Sequence, residues 1–141
     1  GAIACVSAGT YDIAFSAWVD TDNNEILYPS VTSDSVTAKV GEVTSTSVTY
    51  APAGGLTVTL AADDKSDISA SAKWYLGSDP DTQHASGETV YAVVGADTLY
   101  FGAVDGYDAP AAQNVTFAKD TVNAVTGTYV AHGSTISGAI S

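Results

Sequence analysis

The chain has no methionine and no arginine, only four basic residues, and a single cysteine in 141 residues. Each shortage excludes something. With 16 Asp and Glu against 4 Lys, the net charge is −12, so no cationic surface exists to displace counterions from a nucleic acid or to settle on an anionic membrane. No apolar run approaches the length of a transmembrane helix, so membrane insertion is not expected. No charged-then-apolar leader precedes the first strand, as in a mature processed chain or an excised fragment. One cysteine cannot close an internal disulfide. Cys5 sits among small and apolar neighbours (Ala2, Ile3, Ala4, Val6) and reads as a buried small hydrophobe rather than a nucleophile, since no motif links His84 or His132 to it.

Apolar residues make up 45% of the chain, enough for a core. Their spacing is that of strands. Val36, Ala38 and Val40 alternate with polar residues, as do Leu56, Val58 and Leu60; Leu99 and Phe101 flank Tyr100, and Val115 and Phe117 flank Thr116. Residues 68–75 have room for a short helical turn, but Lys73-Trp74-Tyr75-Leu76 reads better as strand. Turn signals separate the runs: Asp22-Asn23-Asn24, Pro52-Ala53-Gly54-Gly55, Asp63-Asp64-Lys65-Ser66, Gly77-Ser78-Asp79-Pro80, Asp105-Gly106 and Lys119-Asp120. Short strands with frequent turns predict an all-β sandwich.

The chain also repeats itself. Val43-Thr44-Ser45-Thr46-Ser47-Val48-Thr49-Tyr50 matches Val122-Asn123-Ala124-Val125-Thr126-Gly127-Thr128-Tyr129 at an offset of 79 (Tyr50 to Tyr129). Gly9 to Phe15 matches Gly95 to Phe101 at an offset of 86 (Phe15 to Phe101). The difference places about seven extra residues in the first copy, in the loop 20–28. The second copy opens with the strand Gly55-Leu56-Thr57-Val58-Thr59-Leu60, for which the first copy has no equivalent. The tail after Tyr129 resembles that strand, with Ile136, Gly138 and Ile140 in the places of Leu56, Val58 and Leu60.

Three units follow: an incomplete sandwich module over 1–51, a complete one over 52–131, and a spare strand over 132–141. An incomplete sandwich leaves an apolar slot with unpaired edges. A strand donated by a neighbour repairs it by β-augmentation, and a head-to-tail contact that does not close makes a filament. The expected donor residues are Gly133 as hinge, then Ile136, Gly138 and Ile140. The expected acceptor groove includes Ile3, Cys5, Ile13, Phe15, Val43 and Val48. The partners are identical subunits.

Ala72-Lys73-Trp74, Ser86-Gly87, Phe101-Gly102-Ala103-Val104-Asp105-Gly106-Tyr107 with Pro110, and Thr126-Gly127-Thr128-Tyr129 resemble the PEGA-like and bacterial immunoglobulin-like repeats of secreted prokaryotic proteins. Gly9-Thr10-Tyr11 and Ser47-Val48-Thr49-Tyr50-Ala51-Pro52 look like the same class. The resemblance implies tandem immunoglobulin-like β-sandwich modules at the cell surface or outside the cell, serving as spacers, adhesive elements or fibre units. It carries over no catalytic residue.

Other chemistry is sparse. Asp20, Asp22 and Asn24 present alternate oxygens as calcium loops do, although Glu25 and Val31 stand where an EF-hand needs Gly and Glu. The competing reading is a solvated acidic turn, and no cofactor is required. The aromatics could form a carbohydrate platform, against a core or cross-strand role. Asn114-Val115-Thr116 is a glycosylation sequon. No catalytic pair, nucleophile elbow or phosphate loop is present, so no enzymatic activity is expected. The expected function is a structural filament subunit; the alternative is a spacer or carbohydrate-binding module of a larger surface protein.

Overall fold

The computed structural model describes residues 5–133. Those residues contain no helix and form an all-β protein. In chain order the strands are β1 (Gly9–Ala14), β2 (Trp18–Asp20), β3 (Glu25–Pro29), β4 (Ser33–Ala38), β5 (Tyr50–Ala62), β6 (Trp74–Leu76), β7 (Asp79–His84), β8 (Thr89–Val93), β9 (Gly95–Phe101), β10 (Tyr107–Asp108), β11 (Gln113–Phe117) and β12 (Val122–Ala131). They make three sheets. One is the ribbon β1–β4. The second runs β10-β12-β5-β3-β2, with β8 also on β5. The third runs β11-β9-β6-β7.

The alternating runs place the core. Leu56, Val58 and Leu60 of β5 meet Trp74 and Leu76 of β6, Leu99 of β9, Val115 and Phe117 of β11 and Tyr129 of β12 in one buried cluster. The cluster draws on both larger sheets, an arrangement consistent with a β-sandwich. Burying each such side chain stabilises the fold by about 1.5–3 kcal/mol. The polar atoms carried inside are satisfied: Trp74 Nε1 donates to the Ala85 carbonyl at 2.9 Å, and Tyr129 Oη donates to the Gly102 carbonyl at 2.7 Å. Residues 68–72 close one helical turn, with the amides of Ser71 and Ala72 both donating to the Ile68 carbonyl, before β6 begins.

Two local expectations are corrected. The Pro52-Ala53-Gly54-Gly55 run is not a turn: it lies inside β5, and the 51/52 boundary falls within that strand. Pro52 pairs with Leu27, and its carbonyl accepts from Val94 N at 3.1 Å. The glycines serve close approach. A Cβ on Gly54 would stand 2.2 Å from the Ala118 carbonyl oxygen, and one on Gly55 would stand 3.0 Å from both the Tyr91 ring and the Val122 side chain. Val40 does not continue the alternation of Val36 and Ala38. β4 stops at Ala38, and a turn follows in which Gly41 has φ of 76° and Glu42 N donates to the Lys39 carbonyl.

Candidate strand-acceptor groove

The β1–β4 ribbon of the first copy repeats the pairing of β9 and β11 in the second. In the second half, β9 and β11 pair as Leu99↔Gln113, Thr98↔Asn114, Asp97↔Val115, Ala96↔Thr116 and Gly95↔Phe117. Shifting β9 by 86 and β11 by 79 gives Ile13↔Asp34, Asp12↔Ser35, Tyr11↔Val36, Thr10↔Thr37 and Gly9↔Ala38. Those are the pairs that β1 and β4 make. The offsets read from the sequence are therefore also the register of the ribbon.

The copies differ in what covers them. In the second half, β5 stands between β8, which it pairs antiparallel from Ala53↔Val93 to Thr57↔Thr89, and β12, which it pairs parallel from Val122↔Gly55 to Tyr129↔Ala62. By the same offsets, β8 corresponds to residues 3–7 and the first eight residues of β12 to residues 43–50. Among the described residues no strand lies between these two segments, and residues 42–49 join no ladder.

A groove of about 1150 Å³ opens in that place. Cys5, Val6 and Val43 line it, together with Tyr11, Ile13 and Val36 of the β1–β4 ribbon. The apolar lining faces water: Val6 is 56% exposed and Val43 78%. Thr46, Val48 and Tyr50 are half-buried in alternation, with the phase of Val125, Gly127 and Tyr129 in β12. Local bonds hold the walls. Tyr11 Oη donates to the Ser7 carbonyl at 2.7 Å, Thr44 Oγ1 donates to the Thr37 carbonyl at 3.0 Å, and Thr46 Oγ1 donates to the Asp34 carboxylate. Lower down, Ser30 N donates to the Thr49 carbonyl at 2.7 Å and Tyr50 Oη to the Ser16 carbonyl at 3.2 Å. Among residues 5–52, only Ile26 and Pro29 are buried.

Of the expected acceptor residues, the groove brings together Cys5, Ile13 and Val43. Phe15 and Val48 are half-buried beyond its lining. Ile3 lies outside the described residues, as do Ile136, Gly138 and Ile140. Gly133 is exposed just past β12, after His132 N donates to the Gly106 carbonyl at 2.9 Å. The acceptor set inferred from the sequence omitted Tyr11, Val36 and Ala38. Their signal was the alternation of Val36 and Ala38 with Thr37, together with the repeat that sets Tyr11 opposite Val36.

The acidic loop binds itself. Asp20 Oδ1 accepts from the amides of Asp22 and Asn23 at 2.9 and 3.2 Å, and Oδ2 accepts from Asn23 Nδ2 at 2.9 Å. The Asn23 side chain, with its backbone amide, holds the Asp20 carboxyl below its ordinary value. Asn24 Nδ2 donates to the Asp120 carbonyl at 3.3 Å, and Ile26 N donates to Asp120 Oδ1 at 2.9 Å, so the loop is tied to the turn before β12. Among the described residues no three His, Cys, Asp or Glu side chains converge as a metal site. Tyr75 and Tyr100 stack on the outer face of the β6–β9 pair with centroids 5.3 Å apart, and Trp18 is exposed on β2. Asn114 is exposed on β11. No protein-family model, curated protein or solved structure matches the chain.

Proposed function

We propose that this chain is the structural subunit of an extracellular filament that polymerises head-to-tail by strand donation. One observation carries the reading: the first half reproduces the register of the second but presents an open apolar groove where the second half holds β5. A subunit with an unfilled strand position is an aggregation hazard unless a partner fills it. Residues 134–141 carry the alternation that β5 carries, and the neighbour's copy of that segment is the donor. On this reading the first half is an immunoglobulin-like module completed only by its neighbour, of the PEGA-like kind. The subunit acts by assembly and needs no cofactor, and calcium at Asp20, Asp22 and Asn24 is an accessory to assembly rather than a condition of folding.

Negative-stain microscopy and sedimentation test this. The intact chain should give long fibres built from a single 14.2 kDa species. Deleting residues 134–141 should leave dispersed subunits. Adding the synthetic tail peptide should raise their thermal midpoint without restoring fibres. A truncated chain that polymerises normally removes the reading.

The exposed Tyr75–Tyr100 stack favours a second reading, a carbohydrate-binding or spacer module of a larger surface protein, since a pair of aromatic faces suits sugar rings. A chain that stays monomeric while its tyrosine fluorescence responds to polysaccharide would support it.

A further inference from the structure

The second half also shows how the donated strand must lie. We infer that residues 134–141 of one subunit enter the groove of the next antiparallel to residues 5–7 and parallel to residues 43–49, with Thr135 opposite Cys5 on one side and Val43 on the other. This rests on the filament reading and adds the polarity, the register and the two contacting walls.

The template is β5 itself. In the second half, Gly55 lies opposite Tyr91 on β8 and opposite Val122 on β12. Tyr91 shifted by 86 is Cys5, and Val122 shifted by 79 is Val43; both line the groove. On the donor side, placing Ile136 and Ile140 where Leu56 and Leu60 are buried puts Thr135 at the place of Gly55. Side-chain volumes support the match. The Tyr91 ring and the Val122 methyl crowd Gly55 so closely that a Cβ there would be 3.0 Å from each. In the first half the small Cys5 replaces the tyrosine, which relieves one of the two contacts on the threonine, while Val43 keeps the valine on the other side.

The joint within the chain supplies the path. Residues 50–52 of β5 correspond to the end of β12, and β5 continues from them without a break into the first strand of the second half. The tail follows β12 as residues 53–62 follow residues 50–52, but with one residue more before Thr135, because Tyr129 stands 79 places beyond Tyr50 and Ile136 stands 80 beyond Leu56. A neighbour docked on it would sit on the second half much as the second half sits on the first.

One competing register is a slip by one residue, which places Gly133 at Gly54 and satisfies the close approach to the counterpart of Ala118. It would turn Ile136 and Ile140 to the outer face, because adjacent strand residues point to opposite sides. The proposed register instead sets Ser134 at the place of Gly54, where a Cβ would be 2.2 Å from the Ala118 carbonyl oxygen, so the backbone at its counterpart Lys39 must stand farther off; the two buried isoleucines decide for the proposed register.

The native cysteine tests the register. Cys5 is exposed and is the chain's only thiol. Opposed side chains on antiparallel strands bring their Cβ atoms to about 4.5–5.5 Å, close to disulfide reach, whereas neighbours on the same strand face away. Under mild oxidation, assembled Thr135→Cys should give a covalent ladder comprising most subunits. Ser134→Cys and Ile136→Cys should remain at the background of the wild type. Adding Cys5→Ser should abolish the ladder, and adding Val43→Cys to that variant should restore one through the parallel wall. A ladder from Ser134→Cys or Ile136→Cys instead overturns the register while leaving strand donation standing. Fibres in which none of the three cross-links overturn the assignment of the walls, again without touching the filament reading. An internal disulfide in a fast-migrating monomer shows the tail in its own groove and overturns both. A wild-type chain that never forms fibres removes the proposed function, and this inference with it.

Discussion

Truncating one isoleucine of the tail and one leucine of β5 should separate the two strand positions cleanly. Leu56 is 1% exposed and belongs to the core between the two larger sheets. Leu56→Ala removes its buried methyl groups and leaves a cavity, at a cost of about 2–5 kcal/mol. With a urea slope of about 2 kcal/mol/M, a loss of about 3 kcal/mol lowers the unfolding midpoint by about 1.5 M. Trp74 is fully buried and Trp18 is exposed, so a change in tryptophan emission on unfolding reports chiefly on the environment of Trp74. Ile136→Ala should leave the midpoint of the dispersed subunit where it was. Its cost should appear on assembly, where losing most of an isoleucine's burial weakens each joint by about 1.5–3 kcal/mol. That raises the critical concentration for polymerisation by roughly 10- to 150-fold. Sedimentation of fibres at graded subunit concentrations reads it. If Ile136→Ala lowers the dispersed midpoint as Leu56→Ala does, the tail is packed within its own subunit. If it leaves the critical concentration unchanged, the isoleucine is not buried in the joint. Either result refutes the reasoning.

Gly127→Ala would place a Cβ 2.3 Å from Phe101 Cε1, an overpacking that should cost about 1–3 kcal/mol; Phe101→Leu in the same chain should recover much of it, and a neutral Gly127→Ala in thermal melts would contradict the packing. Acid should unfold the subunit through four carboxyls held below their ordinary values: Asp20 by Asn23, Asp64 by the Ser66 amide, Asp67 by Ser69 and Glu88 by the Ala85 amide. A lowered folded value means that this stability is present above the ordinary values of 3.8 and 4.5 and is lost as pH falls through the folded ones. The urea midpoint should therefore hold from neutral pH down to about 5 and fall below about 4; a midpoint that rises on acidification argues against these bonds. Assembly should also tighten with salt, because subunits of net charge −12 repel until ionic strength shortens the screening length from about 30 Å at 0.01 M to about 8 Å at 0.15 M. Calcium acting beyond sodium at matched ionic strength, and losing that excess in Asp22→Asn, would place a cation at the acidic loop; equal effects of the two salts would leave only screening there.

The sequence revealed what depends on local periodicity and on self-comparison. Period-two runs at Leu56, Val58 and Leu60, and at Val115 and Phe117, are buried on one face as their alternation demands. The two offsets carried more, because they fixed a ladder register that no single segment encodes. What was hidden depends on partners distant in the chain. Gly54 and Gly55 look like a turn until Ala118, Tyr91 and Val122 close on them, and no local signal distinguishes a glycine that bends from one that admits a neighbour. The Asp20 loop has the alternating oxygens of a cation site, yet its carboxylate is occupied by amides two and three residues on. Val40 continued an apolar alternation by composition, but the turn at Gly41 takes it out of the strand.

The second half also serves as a control for the first. Leu99 and Val115 are buried, whereas their counterparts Ile13 and Val36 reach only half-burial on a ladder of the same register. Comparable side chains on the same backbone pairing thus differ in burial, so the difference lies in what covers them rather than in how the ribbon is made. Two things cover the second ribbon: β5, and the β6–β7 hairpin that pairs with β9. On the proposed reading, residues 134–141 of a neighbour would supply the first. That segment carries no charged side chain, so it would enter the groove without bringing acidic groups against Asp12 and Glu42. It would not supply the second, because among the described residues β9 is paired on both sides while β1 is paired only with β4. On the proposed reading, strand donation would therefore account for the exposure of Val43 and the open space beside Cys5. The edge of β1 away from β4, unpaired among the described residues, calls for a different contact, one made edge to edge through its own amides and carbonyls.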